Sequence, residues 1–104
     1  YKFNIWSNIL KNKGYNTSHI HPAGWLSGVF YLKIPSDIKK NEAGIEFSLH
    51  GDDYPIKIKN IPTITIVPKV CDLVLFPSSL FHKTIPFKSR SERMIIAFDI
   101  HKLQ

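Results

Sequence analysis

The chain has 104 residues, room for one domain spanning residues 1–104 and no more. No run of roughly 18 or more apolar residues occurs, which excludes a transmembrane helix, and the single cysteine, Cys71, excludes an internal disulfide and points to a reducing cytoplasm. A net charge of +6 is compatible with an anionic metabolite, nucleic acid or plain solubility, but lysines such as Lys11, Lys33, Lys57 and Lys69 are scattered, which disfavours nucleic acid. The opening Tyr1-Lys2-Phe3-Asn4 has neither an initiator Met nor an apolar signal core, and reads as a trimmed domain or a cut from a longer chain.

In chain order, Trp6, Ile9 and Leu10 recur at helical spacing with Gly14 beyond them, which predicts a short N-terminal helix or turn. Everything after it reads as β. Tyr15–His21 is a short polar strand stopped by Pro22-Ala23-Gly24, and Leu26–Ile34 is rich in branched and aromatic residues up to Pro35. Further strands are expected over Ile45–Leu49, Pro55–Lys59, Thr63–Val67, Leu73–Phe76, Leu80–Ile85 and Arg93–His101. Their short, regular spacing suits a mainly β jelly roll or cupin-like small barrel and leaves no room for βαβ crossovers.

Strand alternation decides which side chains can meet. His19 and His21 share one face of their strand. On the last strand Arg93, Ile95, Ala97 and Asp99 share one face and Met94, Ile96, Phe98 and Ile100 the other. If the second set packs outward, Arg93 points inward and needs an anion, because a buried unpaired charge is costly. An H-x-H pair is a good half of a metal site, and neutral imidazole suits iron, zinc, copper or nickel. His82, just after the Pro77-Ser78-Ser79 turn, is the candidate third ligand. The plainer alternative leaves His19 and His21 in solvent and His82 as a hydrogen-bonded core residue. His50 and His101 read as surface residues.

Four blocks carry a resemblance. They are Asn16-Thr17-Ser18-His19-Ile20-His21-Pro22, Leu26-Ser27-Gly28-Val29-Phe30-Tyr31-Leu32, Asp72-Leu73-Val74-Leu75-Phe76-Pro77 with His82, and Arg93-Met94-Ile95-Ile96-Ala97-Phe98-Asp99. In order and spacing the chain resembles the 2-oxoglutarate/Fe(II) oxygenases, from about Trp6 to Ile100. The resemblance implies a double-stranded β-helix, iron(II), and 2-oxoglutarate as cosubstrate. It places His19 and His82 as metal ligands and Arg93 as the residue binding the far carboxylate of 2-oxoglutarate. His21 stands where the superfamily usually has a carboxylate. Tyr31 either adds a hydroxyl to the cosubstrate or simply packs.

Two departures stand out. With His21 as a ligand the metal has three neutral protein ligands; alternatively Asp99 or Asp53 supplies the third and one early histidine supports from behind. Ile95 occupies the position where a Ser or Thr often follows the arginine. The activity implied is hydroxylation of an unidentified small-molecule or protein substrate, with a homodimer left open. Rival readings are a three-histidine cupin dioxygenase or isomerase, for which Arg93 has no task, and a non-catalytic jelly-roll binding module. The loops Ser36–Gly44 and His50–Ile61 are expected to frame the mouth and carry specificity.

Overall fold

The computed structural model describes residues 1–11, 14, 24–49 and 62–102. Within them the chain forms β1 (Lys2–Leu10), β2 (Leu26–Lys33), β3 (Ile45–Ser48), β4 (Thr63–Ile66), β5 (Leu73–Pro77), β6 (Phe81–Thr84) and β7 (Arg93–His101). The strands expected over Tyr15–His21 and Pro55–Lys59 lie outside the described residues, as does the whole loop His50–Ile61. No helix among the described residues is long and apolar enough to cross a membrane.

The predicted N-terminal helix is corrected: Trp6, Ile9 and Leu10 belong to the nine-residue strand β1. The period of the segment is two. Phe3, Ile5 and Ile9 fall on one side, and Asn4, Trp6 and Asn8 on the other, as a pleated strand requires. β1 is held by β7 along its whole length, from Lys2 opposite His101 to Leu10 opposite Arg93, and this ladder overrides a weak local helical spacing.

The strands make two antiparallel sheets, ordered β1-β7-β2-β5 and β4-β3-β6. β7 is interior to the first sheet and pairs on both sides; its register with β2 shifts between Tyr31 and Lys33, beside Arg93. Residues alternate along β7, with Arg93, Ile95, Ala97 and Asp99 buried and Met94, Ile96 and Phe98 half-exposed. The inward face expected for Arg93 is therefore the observed one.

The core lies between the sheets. Val29, Tyr31, Phe76, Ile95 and Ala97 from the four-stranded sheet meet Ile45 and Phe47 from the three-stranded one, with the Phe47 and Phe76 rings 5.0 Å apart. Each such aromatic or branched side chain contributes about 1.5–3 kcal/mol on burial. On the outer face of β2, Gly28 lies beneath the ring of Phe98 and the tip of Leu75, leaving no space for a Cβ. Leu73 and Leu75 of β5, with Phe3 and Ile5 of β1, extend that outer apolar face into solvent.

Candidate functional site

A cavity of about 60 Å³ opens against the inner face of the four-stranded sheet. It exceeds several-fold the roughly 10–15 Å³ that one water requires. Arg93, Asp99 and Ile95 of β7 line it, with His82 and Thr84 of β6, Ser27 of β2 and Asn8 of β1. Most of these are polar groups on strands whose neighbours are core residues, an uncommon way to fill an interior.

Arg93 is 2% exposed, and its Nε and Nη1 atoms have no hydrogen-bond partner among the described residues. Its guanidinium lies over the Tyr31 ring, 5.4 Å from the centroid, an attractive cation–π arrangement. Tyr31 is fully buried and does not line the cavity itself. Its hydroxyl is near enough to feel the charge of Arg93 without a well-aligned hydrogen bond. Burial raises the pKa of the phenol, an effect the arginine charge partly opposes, and burial likewise lowers that of Arg93. Tyr31 is held from behind. Its carbonyl accepts from the Cys71 amide at 2.8 Å and its amide donates to the Asp72 carbonyl at 3.1 Å, across a turn in which Cys71 takes a positive φ of 74°.

His82 sits on β6 opposite Phe47, with its ring 4.7 Å from that of Phe76. Its Nδ1 lies 3.2 Å from the Leu80 carbonyl, and since a carbonyl only accepts, Nδ1 carries the proton in that bond. In the neutral ring this leaves the lone pair on Nε2, the tautomer a metal-binding imidazole uses. The turn before it is anchored by the Ser78 amide donating to the Trp25 carbonyl, 3.2 Å away.

His82 and Arg93 thus share one cavity, and Tyr31 backs Arg93. His19, His21 and Asp53 lie outside the described residues, as does His50; among the described residues no group of three His, Cys, Asp or Glu is placed to hold a metal. His101 is half-buried near the end of β7, where its Nε2 is 3.0 Å from the Asn4 amide. Sequence reasoning missed Asn8, Ser27, Ser78 and Thr84. Asn8 lines the cavity with a buried Oδ1 that has no partner, and would have been found had β1 been read with period two. Ser27 donates to Asp99 Oδ1 at 2.7 Å and lies 2.8 Å from Ser78 Oγ, contacts spanning 72 and 51 residues of chain.

Two antiparallel sheets with a buried arginine and a buried histidine around one cavity define a mainly β protein with a cationic group indoors. The chain belongs to the family described as "Putative 2OG-Fe(II) oxygenase", whose model matches residues 4–99. Membership implies iron(II) and 2-oxoglutarate as cofactor and cosubstrate. Among solved structures the chain is similar to a prolyl-4-hydroxylase from Pseudomonas putida, at 14% identity and a TM-score of 0.70. That likeness covers 100% of this chain and 54% of the hydroxylase, so the chain spans about half the length of that protein. None of the curated proteins matches the sequence.

The described residues fit the cosubstrate. A fully buried guanidinium with two unpaired nitrogens, facing a cavity, is the complement of a carboxylate. For the metal, His82 lines the same cavity with its Nδ1 against the Leu80 carbonyl, and His19 and His21, expected to join it, lie outside the described residues.

Proposed function

We propose that this chain is the double-stranded β-helix core of a dioxygenase that uses iron(II) and 2-oxoglutarate to hydroxylate a small-molecule or protein substrate. The observation that carries the reading is Arg93, buried with two guanidinium nitrogens that have no hydrogen-bond partner among the described residues, in the lining of a cavity that His82 also lines. Buried charges in folded proteins are paired, and leaving one unpaired costs several kcal/mol, so the site is built for an anionic ligand.

His19, His21 and His82 hold the metal in this reading, and Arg93 pairs with the far carboxylate of 2-oxoglutarate. Iron(II) bound there supplies the oxygen chemistry, whose products are a hydroxylated substrate, succinate and carbon dioxide. The chain's own residues bind and orient. Arg93 fixes one end of the cosubstrate, Tyr31 keeps the guanidinium plane in place, and Ile95, Val29 and Ile45 keep the walls apolar so that the ion pair forms away from water. A three-histidine cupin would have no use for Arg93. The exposed free thiol of Cys71 is in keeping with a reducing cytoplasm.

The test is anaerobic reconstitution with iron(II), followed by exposure to oxygen and 2-oxoglutarate. The expected outcome is one iron per chain and slow, iron-dependent release of succinate even without substrate. Protein that binds no iron, or that binds iron yet leaves 2-oxoglutarate intact and unbound, would refute the reading.

A further inference from the structure

Among the described residues, the buried side-chain polar atoms without a hydrogen-bond partner belong to three side chains, Asn8, Tyr31 and Arg93. The sheet places all three together. Ile95 pairs with Asn8 of β1 on one side and with Tyr31 of β2 on the other, and Arg93 precedes Ile95 on the same inner face of β7. Asn8 is therefore a diagonal neighbour of Arg93, at a separation of about 7–8 Å across the ladder, within reach of a long side chain. Folded proteins leave few buried polar atoms unbonded, and here they are gathered at one spot.

Asn8 and Arg93 line the cavity, and Tyr31 does not. A molecule entering beside Arg93 thus meets Asn8 as the polar group next to it, since Ile95 between them is apolar. Asn8 and Arg93 do not satisfy each other. The guanidinium can only donate, and the buried Asn8 Oδ1, an acceptor, has no partner among the described residues. A half-turn of the carboxamide exchanges Oδ1 for Nδ2 in nearly the same space, so Asn8 can aim either an acceptor or a donor inward. A carboxylate only accepts, and one held by Arg93 would take a further hydrogen bond from Nδ2. The amide is neutral, so it adds a donor without adding charge. The anion site keeps the single positive charge of Arg93, matched to one carboxylate rather than to a doubly charged phosphate or sulfate.

We propose that Asn8 is the neutral half of the anion site, turning its amide to donate to the carboxylate that Arg93 holds. The inference rests on the reading of Arg93 as the anchor of 2-oxoglutarate, and the experiment separates the two. 2-Oxoglutarate is titrated calorimetrically, without oxygen, onto iron(II)-loaded wild type, Asn8→Leu, Asn8→Asp and Arg93→Met, and each protein is also melted without ligand. Leu removes the amide at similar volume, and the expected loss of affinity is about ten-fold or more, as for a hydrogen bond to a charged group. Asp keeps the shape but only accepts. It gives Arg93 a partner from within the chain, so the ligand-free protein should melt at or above wild type while affinity falls further than in Asn8→Leu. A merely structural Asn8 predicts the reverse, a variant destabilised by a buried lone carboxylate and an affinity left unchanged. If Arg93→Met loses binding while Asn8→Leu stays within about two-fold of wild type, the assignment of Asn8 is overturned and the Arg93 site stands. An Asn8→Asp protein that melts well below wild type overturns it too, because the new carboxylate has then found no cation. If wild type itself binds no 2-oxoglutarate at millimolar concentration, both readings fall. Should Asn8→Leu fail to fold, Asn8→Asp decides by its affinity and its melting together.

Discussion

Replacing Arg93 by Met should have effects of opposite sign on ligand binding and on the stability of the ligand-free protein. Arg93 is buried with Nε and Nη1 unpaired, and its described attraction is the Tyr31 ring at 5.4 Å. Removing it forfeits a cation–π contact of about 0.5–2 kcal/mol and relieves the desolvation of an uncompensated charge, worth several kcal/mol. Met fills similar volume, so the ligand-free variant should be as stable as wild type or up to about 3 kcal/mol more stable, each kcal/mol adding roughly 4–8 °C to Tm. Binding of 2-oxoglutarate, by contrast, loses a buried charge-assisted pair, about 2–5 kcal/mol, or roughly 30-fold to several thousand-fold in Kd. The assay is anaerobic titration of 2-oxoglutarate onto iron-loaded wild type and Arg93→Met, with thermal melts of both. In wild type, ligand at about 100 times Kd should add about 2.7 kcal/mol of stability, and in the variant almost none. The reasoning is refuted if Arg93→Met melts well below wild type and binds 2-oxoglutarate equally well, because Arg93 is then a structural residue.

Tyr31→Phe removes a buried hydroxyl that has no hydrogen-bond partner among the described residues but keeps the ring under the guanidinium; ligand-free stability should hold or rise, and 2-oxoglutarate affinity should fall less than ten-fold, by the same melts and titrations. Because burial raises the Tyr31 pKa, the unfolded chain gives up that proton first, so stability is full below about pH 10 and declines above it; urea unfolding of wild type beside Tyr31→Phe should show the decline reduced in the variant. Gly28→Ala drives a methyl into the Phe98 ring and against Leu75, and should destabilise by about 1–3 kcal/mol in a denaturant melt.

Much of this was written locally in the chain. β2 through β7 begin and end within a residue or two of the strands expected over Leu26–Ile34, Ile45–Leu49, Thr63–Val67, Leu73–Phe76, Leu80–Ile85 and Arg93–His101. The inward aim of Arg93 followed from alternation alone, because a strand has only two faces. β1 was misread for a physical reason. Trp6, Ile9 and Leu10 satisfy helical spacing as well as Phe3, Ile5 and Ile9 satisfy a strand's, and the pairing partner that decides between them, β7, is more than 80 residues away. The hydroxyl chain to Asp99 was hidden by the same distance, since Ser27, Ser78 and Asp99 are ordinary residues until the sheet brings them together. His82 was legible as a late-strand histidine, while its tautomer depended on a carbonyl that only the folded turn delivers.

Arg93 and Asp99, which both line the cavity, are joined by one continuous stretch of extended backbone on β7, with no bulge in its pairing to β1. Six residue steps at roughly 3.3 Å put the cationic end and the acidic end about 20 Å apart along the strand, and the long arginine side chain spans part of that length. This spacing can change only in fixed increments. Inserting or deleting one residue would turn Arg93 or Asp99 to the outer face, so a change that keeps both indoors must involve two residues, about 6–7 Å at a time. An increment of that size is comparable to the length of a five-carbon dicarboxylate. Related chains could therefore exchange walls and loops freely, but could not adjust the reach of the anion site by a single carbon except by changing the side chain at its end, for instance from Arg to Lys.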